Sequence, residues 1–589
     1  MGPQRKLIVA LVPLLVALLG KCQSPDMLRS LPKNVSGYLV SRDGQFYVQP
    51  ALENQSSNGE RGVENESRAN DEESWTEGGE ESWRSDKEPV DGDDEDDDES
   101  WSSRRGSLWW WERGTRSRGF SIFGMLESAV GMVGKFLGGM IFEDEEDIES
   151  KDSAANYRGH QLLRLTAKTK KQVRYLQQLM TDEPDDVKFW TNPVKDKATD
   201  VLVSSRLLND VKEFFREKGI NYVMLMSDLE KAIKSQNPRM PKERRQDLFS
   251  SQGHAMTWKR YHRFKDVMGY LDYLASKYPQ IVEVVSIGKS FEGRPLKIVK
   301  VSTGANVNGE PKPTIWIDAG MHAREWISVA VTTYILNQLV EKNENYTRLL
   351  DITDWVIMPV ANPDGYEYTH TDDRLWRKTR SNHDAEPQDD TRQAPGFLHV
   401  VSQYTKWLFG GSCEGVDPNR NFHIHWGDDK IGASTDPCAD TYQGPSPFSE
   451  PETRAISNYI MKNKKFIKSY LTMHSYSQMI LCCGLTRTRP ADFDDLMNIA
   501  NKAKKAIAKV NGIEYRVGSA AELLYPTTGS SDDWAKEIAG IKNSFTIELR
   551  DRGNYGFLLP ASQIIPTARE TWAGVRVIAR MSAAQGNNT

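Results

Sequence analysis

The chain has 589 residues and a formal net charge of −6. This length exceeds that of one ordinary domain, so we expect two or three folded units together with unstructured sequence. The acidic residues are concentrated in the run 91–99, and the chain as a whole lacks the basic surplus of a nucleic-acid-binding protein, which excludes nucleic acid as an expected partner.

Residues 1–22 have the pattern of a secretory signal peptide. Arg5 and Lys6 precede an apolar run from Leu7 to Leu19, and cleavage is expected near Cys22. A membrane anchor is the alternative, but this run is too short to span a bilayer. We therefore predict a secreted, extracellular protein. Five glycosylation sequons agree with secretion, at Asn34, Asn54, Asn65, Asn345 and Asn587.

Residues 23–155 form an acidic extension that is predicted to be largely disordered, because it is poor in aliphatic residues. Its Ser-Trp repeats, which end at Trp75, Trp83 and Trp101, could bind a partner or belong to a solvated spacer. Within the extension, residues 120–142 carry apolar side chains at helical spacing, interrupted by glycines. This segment could contact a membrane surface, but docking on the protein itself is the prediction we favour.

Residues 156–250 are expected to form a small α/β domain. Their segments follow the order strand, helix, strand, strand, helix, strand, which is that of a ferredoxin-like split βαβ fold. The strand patterns occupy residues 162–165, 187–190, 201–203 and 222–225, and the helical patterns lie near 173–179 and 207–215. The basic stretch from Lys234 to Arg245 has the composition of a linker and offers cleavage sites to a trypsin-like protease, among them Lys242, Arg244 and Arg245.

Residues 255–582 alternate strand-like and helical patterns. This alternation and length predict one large α/β domain with a mostly buried sheet. The clearest strand patterns are 313–318, 355–360, 470–473 and 545–549. Histidines follow two of these patterns, so the ends of those strands are candidates for a site.

His322 and Glu325 are three residues apart and follow the strand pattern that ends at Asp318. An imidazole and a carboxylate at this spacing can bind one metal ion. His474 follows another strand pattern much later in the chain. Two nitrogens and one oxygen around Zn²⁺ leave a position for water, as a catalytic site requires. Taken alone, His474 could also be a hydrogen-bonded histidine of the core.

Three further groups could complete the chemistry of such a site. Glu548 lies within a strand pattern, and a carboxylate there can take a proton from water beside the metal. Arg377, and Arg420 with its neighbour Asn419, supply donors for a carboxylate or an oxyanion. Each arginine could instead be a surface salt-bridge partner.

Six motifs in this order resemble the zinc metallocarboxypeptidases of the pancreatic A/B type. They are Met-His-Ala-Arg-Glu-Trp-Ile (321–327), Ala-Asn-Pro-Asp-Gly-Tyr (361–366), Leu-Trp-Arg-Lys-Thr-Arg (375–380), Gly-Val-Asp-Pro-Asn-Arg-Asn-Phe (415–422), His-Ser-Tyr-Ser-Gln (474–478) and Phe-Thr-Ile-Glu-Leu-Arg-Asp-Arg-Gly-Asn-Tyr-Gly-Phe-Leu-Leu-Pro (545–560). The resemblance covers 255–582, and 156–250 resembles the inhibitory propeptide of that family. It implies a mixed central sheet flanked by helices, preceded by the ferredoxin-like domain.

The resemblance also implies a role for each motif residue. Zinc would be held by His322, Glu325 and His474, with Asp417 bracing His322. Glu548 would act first as general base and then as general acid, and Arg377 would stabilise the oxyanion. The substrate would contact Arg324, Asn419, Arg420, Tyr476 and Tyr525, of which Asn419, Arg420 and Tyr525 would grip its terminal carboxylate. Cys413 and Cys438 would form a disulfide.

Asp532 is the residue that predicts specificity. In the resembling family, the position two residues before Trp534 lies at the base of the side-chain pocket, and an aspartate there favours C-terminal Lys or Arg. A buried carboxylate is costly without a cationic partner, which agrees with this prediction. Asp532 could instead cap a helix, and the adjacent Asp533 could face the pocket in its place.

The expected function is a zymogen that removes residues from peptide C-termini, is inhibited by its own propeptide and is activated by a trypsin-like protease. A catalytically silent binding protein, an endopeptidase and a carboxypeptidase with apolar specificity are the alternatives. Two features depart from the resembling family. The segment near 384–410 is longer than expected and could form a flap, and the pair Cys482 and Cys483 is unusual.

Overall fold

The computed structural model describes residues 155–183, 185–383, 413–428, 432–482 and 489–586, together with the backbone of one hairpin near the N-terminus. The hairpin pairs β1 (Gly37–Arg42) with β2 (Gln45–Pro50) in antiparallel fashion, and sequence patterns did not predict it. It belongs to the unit Met1–Phe120, whereas both domains below belong to the unit Ser121–Thr589. The signal-like residues 1–22, the segment 120–142 and the segment 384–410 lie outside the described residues.

The small domain has the predicted ferredoxin-like order. Its elements are β3 (Gln161–Thr166), α1 (Lys170–Asp182), β4 (Val187–Phe189), β5 (Ala198–Val203), α2 (Leu208–Glu217) and β6 (Tyr222–Met226). The strands form an antiparallel sheet in the order β4-β5-β3-β6. Thr169 starts α1 with a reciprocal capping box. Leu163 and Leu165 of β3 pack against Leu176 and Phe215 of the two helices, so one face of the sheet is buried within the domain.

Two helices connect the small domain to the large one. They are α3 (Leu229–Gln236) and α4 (Lys242–Gln252). The stretch 234–245 was expected to be a linker, but α4 begins within it, directly after Pro241. The helix lacks an apolar stripe, since Leu248 is its one buried residue, and this explains why periodicity did not reveal it.

The large domain is built on an eight-stranded mixed sheet, as predicted. The strands are β7 (Val282–Lys289), β8 (Pro295–Val301), β9 (Thr314–Ala319), β10 (Asp354–Met358), β11 (Ile467–Ser475), β12 (Met479–Cys482), β13 (Arg516–Ser519) and β14 (Asn543–Leu549), in the spatial order β13-β12-β14-β11-β9-β10-β8-β7. Strands β10, β9, β11 and β14 run parallel in the middle. On either side β8 and β12 pair with them in antiparallel fashion, and the edge strand β7 is antiparallel to β8 whereas β13 is parallel to β12.

Helices cover both faces of this sheet. They are α5 (Phe264–Lys277), α6 (Trp326–Val340), α7 (Thr347–Leu350), α8 (Pro363–Thr371), α9 (Pro451–Asn463), α10 (Phe493–Asn511), α11 (Ala520–Leu523), α12 (Ser531–Glu537) and α13 (Ile564–Gly586). Ile315 and Ile317 of β9 face one apolar core while Trp316 faces the other. Burial on both faces explains the continuous apolar run of this strand. Among the described residues, no helix is long and apolar enough to cross a bilayer.

The parallel arrangement decides where a site can form. In a sheet of this kind, ligands bind at the carboxyl ends of parallel strands. Strands β9, β11 and β14 are neighbours, so residues that follow or end them are brought to one edge of the sheet.

Candidate active site

His322 and Glu325 lie in the tight turn that joins β9 to α6. Gly320 begins the turn with φ +65°, and a Cβ at this position would lie 2.8 Å from a methyl group of Val329 in α6. Only glycine combines this backbone conformation with such a close approach. Glu325 is the N-cap residue of α6, and both predicted ligands are buried. The turn therefore holds the two side chains at the carboxyl edge of the sheet.

His474 and Glu548 are directly opposite each other on the neighbouring strands β11 and β14. The hydroxyl of Thr472 donates to Asp318 Oδ1 at 2.7 Å and lies 3.1 Å from His474 Nε2. This contact orients the imidazole of His474 so that its Nδ1 atom faces Glu325. The strand register thus brings the third predicted ligand and the predicted base to the same edge as His322.

The three predicted metal ligands converge. Nδ1 of His322 lies 2.8 Å from Glu325 Oε1, Nδ1 of His474 lies 3.0 Å from Glu325 Oε2, and the two Nδ1 atoms are 3.1 Å apart. Among the described residues, this is the one group of three or more such side chains that could hold a metal ion. Two imidazole nitrogens and a carboxylate oxygen form the donor set of a catalytic zinc site, so these residues fit zinc.

The charges around this donor set also favour a cation. Burial disfavours the charged form of Glu325, but the two histidines hold its pKa well below the usual range. Burial likewise lowers the pKa of His474, and the Glu325 carboxylate outweighs this and raises it to about 9. Burial and the charge of Glu325 together raise the pKa of Glu548 to about 8. A cation between these groups would relieve the repulsion between the two glutamates.

Asp417 links the donor set to Arg377. Its Oδ1 lies 3.0 Å from His322 Nε2, and its Oδ2 accepts hydrogen bonds from Arg377 Nη2 at 2.8 Å and Nε at 3.1 Å. The backbone N–H of Asn419 donates to the same carboxylate. Asp417 is fully buried, and its neighbours Arg377 and His322 hold its pKa well below the usual range despite burial. One ionised carboxylate thus fixes both the imidazole and the guanidinium.

Asn419, Arg420 and Tyr525 form one wall of the same cavity. Arg420 donates to the carbonyl of Gly432 at 2.7 Å, and its Nη2 lies 3.4 Å from the hydroxyl of Tyr525. Asn419 accepts a hydrogen bond from the backbone of α12. Gly529, with φ +71°, packs so closely that a Cβ there would lie 2.1 Å from the Arg420 carbonyl. The three predicted carboxylate-binding residues are therefore adjacent, and hydrogen bonds and close backbone packing hold Asn419 and Arg420 in place.

Asp532 lies in the wall of this cavity, which has a volume of about 550 Å³ and also contains the donor set. Ser530 is the N-cap residue of α12, so Asp532 is not the cap. The hydroxyl of Ser530 donates to Asp533 Oδ2 at 2.8 Å. Asp532 is 6% exposed, and no described side chain donates to its carboxylate. Of the two aspartates, Asp532 is the one whose charge is available to a ligand.

Arg324 packs against Phe557, a residue of the cavity lining. Its guanidinium donates to Asp440 Oδ2 at 2.9 Å and lies 4.3 Å from the ring centre of Phe557. Asp440 was not predicted from the sequence. The signal was weak, since this acid is part of an irregular loop two residues after Cys438 and belongs to no motif.

The small domain covers the cavity. Trp190 packs against the rings of Tyr476 and Phe557, with centroid distances of 6.4 and 5.0 Å. Asp200 of β5 accepts a hydrogen bond from the Tyr476 hydroxyl at 2.6 Å and two from Arg164 at 2.7 Å. Tyr476, which is predicted to contact substrate, is therefore hydrogen-bonded to the small domain in this structure.

Two further contacts attach the small domain beside the cavity. Lys197 Nζ donates to the carbonyls of Glu522, Leu523 and Leu524 at 2.9 to 3.2 Å, one residue before Tyr525. The amide of Gln236 donates to two carbonyls of the segment 557–559 and accepts from Arg374 Nε at 2.9 Å. Gln236 is 2% exposed, so these bonds are shielded from water. Neither residue had a recognisable signal in the sequence.

Residues 267–574 match the family model for zinc carboxypeptidase, and residues 163–236 match that for carboxypeptidase activation peptide. The chain belongs to the zinc carboxypeptidase family. It is 45% identical to a carboxypeptidase B of Astacus astacus over 325 residues, which are 55% of this chain and 97% of that protein. It is 37% identical to carboxypeptidase A2 of Mus musculus over 428 residues, which are 71% of this chain and 93% of that protein.

The solved structure of thrombin activatable fibrinolysis inhibitor is also similar, with a TM-score of 0.61 and 34% identity over 73% of this chain and 100% of that chain. As a zinc carboxypeptidase with an activation-peptide domain, the chain is a metallocarboxypeptidase zymogen and its cofactor is zinc. The disulfide between Cys413 and Cys438 is present. Relatives of both A and B type are similar, so family membership leaves the specificity open.

Proposed function

We propose that this zinc carboxypeptidase is secreted and removes C-terminal Lys or Arg. The observation that carries the specificity is the buried carboxylate of Asp532 in the cavity wall, which accepts no hydrogen bond from a described side chain. A cationic side chain that enters the cavity leaves water, and a nearby carboxylate compensates for this cost. Such a charge-assisted hydrogen bond contributes roughly 1.5–3 kcal/mol, about ten- to a hundredfold in discrimination.

The residues of the cavity wall account for the chemistry of hydrolysis in this proposal. His322, Glu325 and His474 would hold zinc, which would supply Lewis-acid chemistry for the scissile carbonyl and for water. Glu548 takes a proton from the attacking water and later gives it to the leaving amine. Arg377, oriented by its two hydrogen bonds to Asp417, donates to the carbonyl oxygen as negative charge develops there.

Recognition of the free C-terminus follows from the polar side chains of Asn419, Arg420 and Tyr525 in the cavity wall. Arg420, Asn419 and Tyr525 bind the terminal carboxylate of the substrate, while Arg324 and Tyr476 contact the residues that precede the scissile bond. A polypeptide that continues beyond the scissile residue has no carboxylate for these donors. The arrangement therefore supports an exopeptidase rather than an endopeptidase.

Secretion and latency complete the proposal. Residues 1–22 direct export, 23–155 form an extension, 156–250 inhibit the enzyme, and 255–582 catalyse. The disulfide and the exposed sequon asparagine Asn345 suit an oxidising, glycosylating compartment. The small domain inhibits by occupying Tyr476 and covering the cavity, and a trypsin-like protease releases it.

The experiment that tests this function measures the trypsin-treated protein on peptides ending in Arg, Leu, Phe or Glu, with and without a chelator. We expect chelator-sensitive release of Arg, and Asp532→Asn should reduce use of Arg termini by at least tenfold while Leu termini change little. Comparable rates on Arg and Phe peptides would contradict the specificity. Failure to cleave any peptide would favour a catalytically silent binding protein.

A further inference from the structure

A row of paired residues crosses the large sheet from the metal ligand His474 to Arg516. His474 on β11 pairs with Glu548 on β14, which in turn pairs with Met479 on β12. Met479 pairs with Arg516, the first residue of β13. Paired residues on neighbouring strands point to the same face of a sheet, and all four line the cavity. Since neighbouring strands lie about 4.8 Å apart, the backbone of Arg516 is about 10 Å from that of Glu548.

The guanidinium of Arg516 lies against the row that leads to the proposed base. Its Nη2 atom is 3.4 Å from Met479 Sδ. The backbone N–H of Arg516 donates to the carbonyl of Gln478 at 2.9 Å, which fixes the start of β13 beside β12. The side chain as a whole is exposed. Arg516 therefore joins the cavity to the solvent on this side.

Arg552 is a second cation on the same side of the cavity. It follows Glu548 by four positions, and its Nη2 donates to the carbonyl of Glu514 at 2.8 Å, two residues before Arg516. Both arginines line the cavity. Burial, followed by the charge of Arg552, lowers the pKa of Arg516. Two like charges are thus neighbours here, and a bound anion would relieve their repulsion.

The protein itself does not neutralise this pair. Within the described residues, neither arginine forms an ion pair with a carboxylate. The small domain instead adds a cation, because burial and then the charge of Arg516 lower the pKa of Lys197. The carboxylate of Asp200 is bonded to Arg164 and Tyr476. Docking of the small domain therefore does not account for the two arginines.

We propose that Arg516 and Arg552 bind an acidic side chain of the substrate, located before the scissile bond. This inference rests on the proposed function, in which the terminal residue already has partners for its carboxylate and, in Asp532, for its side chain. The remaining cations serve the residues that precede it. An extended peptide advances about 3.3 Å per residue, so a distance of about 10 Å from the base corresponds to the second or third residue before the scissile bond.

The test compares peptides that carry Glu, Gln or Lys at each of the four positions before the scissile bond, with the trypsin-treated full chain as enzyme. One series ends in Arg and a second in Phe, so that the outcome does not depend on the preferred terminal residue. We expect kcat/KM for Glu to exceed that for Gln by about three- to tenfold at the second or third position, mainly through KM. This advantage should shrink as the salt concentration rises, because exposed charges are screened.

Variants assign the preference to the two arginines. Arg516→Gln and Arg552→Gln should each move the Glu-to-Gln ratio of kcat/KM toward one, whereas Arg516→Lys should retain much of it. Arg569→Gln is the matched control, since Arg569 is exposed on α13 and outside the cavity lining. Equal kcat/KM for Glu and Gln at every position, or an unchanged ratio in either Gln variant, would overturn the proposal.

Failure of the proposed function has a different signature. A protein that hydrolyses neither peptide series would contradict the carboxypeptidase activity. Binding of the same peptides, measured by fluorescence anisotropy, then decides the inference without turnover. Tighter binding of the Glu peptides than of the Gln peptides would support it, and equal binding would overturn it.

Discussion

The hydroxyl of Tyr476 donates a 2.6 Å hydrogen bond to the carboxylate of Asp200, which belongs to the other domain. Asp200 is 2% exposed and also accepts two hydrogen bonds from Arg164. Tyr476, a side chain of the large domain that is proposed to bind substrate, is therefore hydrogen-bonded to a buried carboxylate of the small domain that also pairs with Arg164. Hydrogen bonds to charged groups are worth roughly 1.5–3 kcal/mol, so this pair makes a substantial contribution to docking.

Asp200→Asn should weaken docking and raise the activity of the uncleaved zymogen. Loss of one charge-assisted contact of roughly 1.5–3 kcal/mol corresponds to about a ten- to hundredfold larger undocked fraction. Hydrolysis of an Arg-terminated peptide by the uncut protein measures this fraction. Asp196→Asn is the matched control, because Asp196 is exposed on the preceding turn and adopts a positive φ that asparagine tolerates. Equal activities of the two variants would show that Asp200 does not hold the domains together.

Glu548→Gln should abolish nearly all turnover while zinc binding is retained. The amide keeps the size of the side chain but cannot accept the proton from water. General acid–base catalysis contributes typically 10²–10⁴-fold, so we expect a fall of about that size in kcat for the activated enzyme. Zinc content after dialysis is the control measurement. Near-normal turnover in a variant with full zinc content would rule out Glu548 as the base.

Asp417→Asn should reduce zinc affinity about 10- to 100-fold, the usual effect of losing a partner that orients a metal ligand. It should also lower kcat, because Arg377 loses the acceptor of two hydrogen bonds. Competition with a chromogenic chelator measures the zinc affinity independently of activity. Asp440→Asn serves as the comparison, since Asp440 contacts Arg324 rather than a metal ligand. An unchanged affinity in Asp417→Asn would contradict the bracing role.

Asp440→Asn should raise KM for substrates long enough to reach Arg324 and leave KM for blocked dipeptides unchanged. Arg324 retains the carbonyl of Leu375 and the ring of Phe557 as partners, and Asp440 is 38% exposed, so the expected rise is only about two- to fivefold. Steady-state kinetics on a peptide series of increasing length decides this. An equal rise for all lengths would indicate a general distortion of the cavity instead of a positioning role.

The unmodified protein should lose stability as pH rises above 4.5, and Glu452→Gln should abolish this loss. Burial, followed by the charges of Glu450 and Asp364, raises the pKa of Glu452 to about 8, and its Oε2 has no described hydrogen-bond partner. The unfolded chain releases this proton near pH 4.5 while the folded chain keeps it, so stability falls by about 1.4 kcal/mol per pH unit between these values. Thermal unfolding from pH 5 to 8 should show a flatter decline of Tm in Glu452→Gln. Glu283 is exposed, so Glu283→Gln should show the same dependence of Tm on pH as the unmodified protein. An unaltered dependence of Tm on pH in Glu452→Gln would refute the raised pKa of Glu452.

The donor set could be predicted because its residues belong to short motifs with local geometry. His322 and Glu325 share one turn, and His474 and Glu548 end apolar strand runs whose pairing follows from a parallel sheet. The contacts between domains could not be predicted in this way. Lys197 bonds to carbonyls more than 300 positions away, and a lysine in a polar turn is ordinarily solvated.

Helix α4 shows a second limit of sequence patterns. Periodicity reports a helix only where one face is buried, and α4 buries little beyond Leu248. Its position is fixed instead by the ion pair of Arg245 with Asp266 and by the preceding Pro241. The stretch from Lys234 to Arg245 has the basic composition of a linker, but more than half of its residues are helical.

The disulfide between Cys413 and Cys438 encloses a segment that contains Asp417, Asn419 and Arg420. The three metal ligands lie outside this covalent ring, on a turn and a strand of the rigid sheet. Reduction of the bond would therefore loosen the groups proposed to hold the end of the substrate, and with them Asp417, which braces His322. Sensitivity of this enzyme to thiols is expected to appear as poorer capture of peptides together with weaker zinc binding, while the three ligands themselves stay on the sheet.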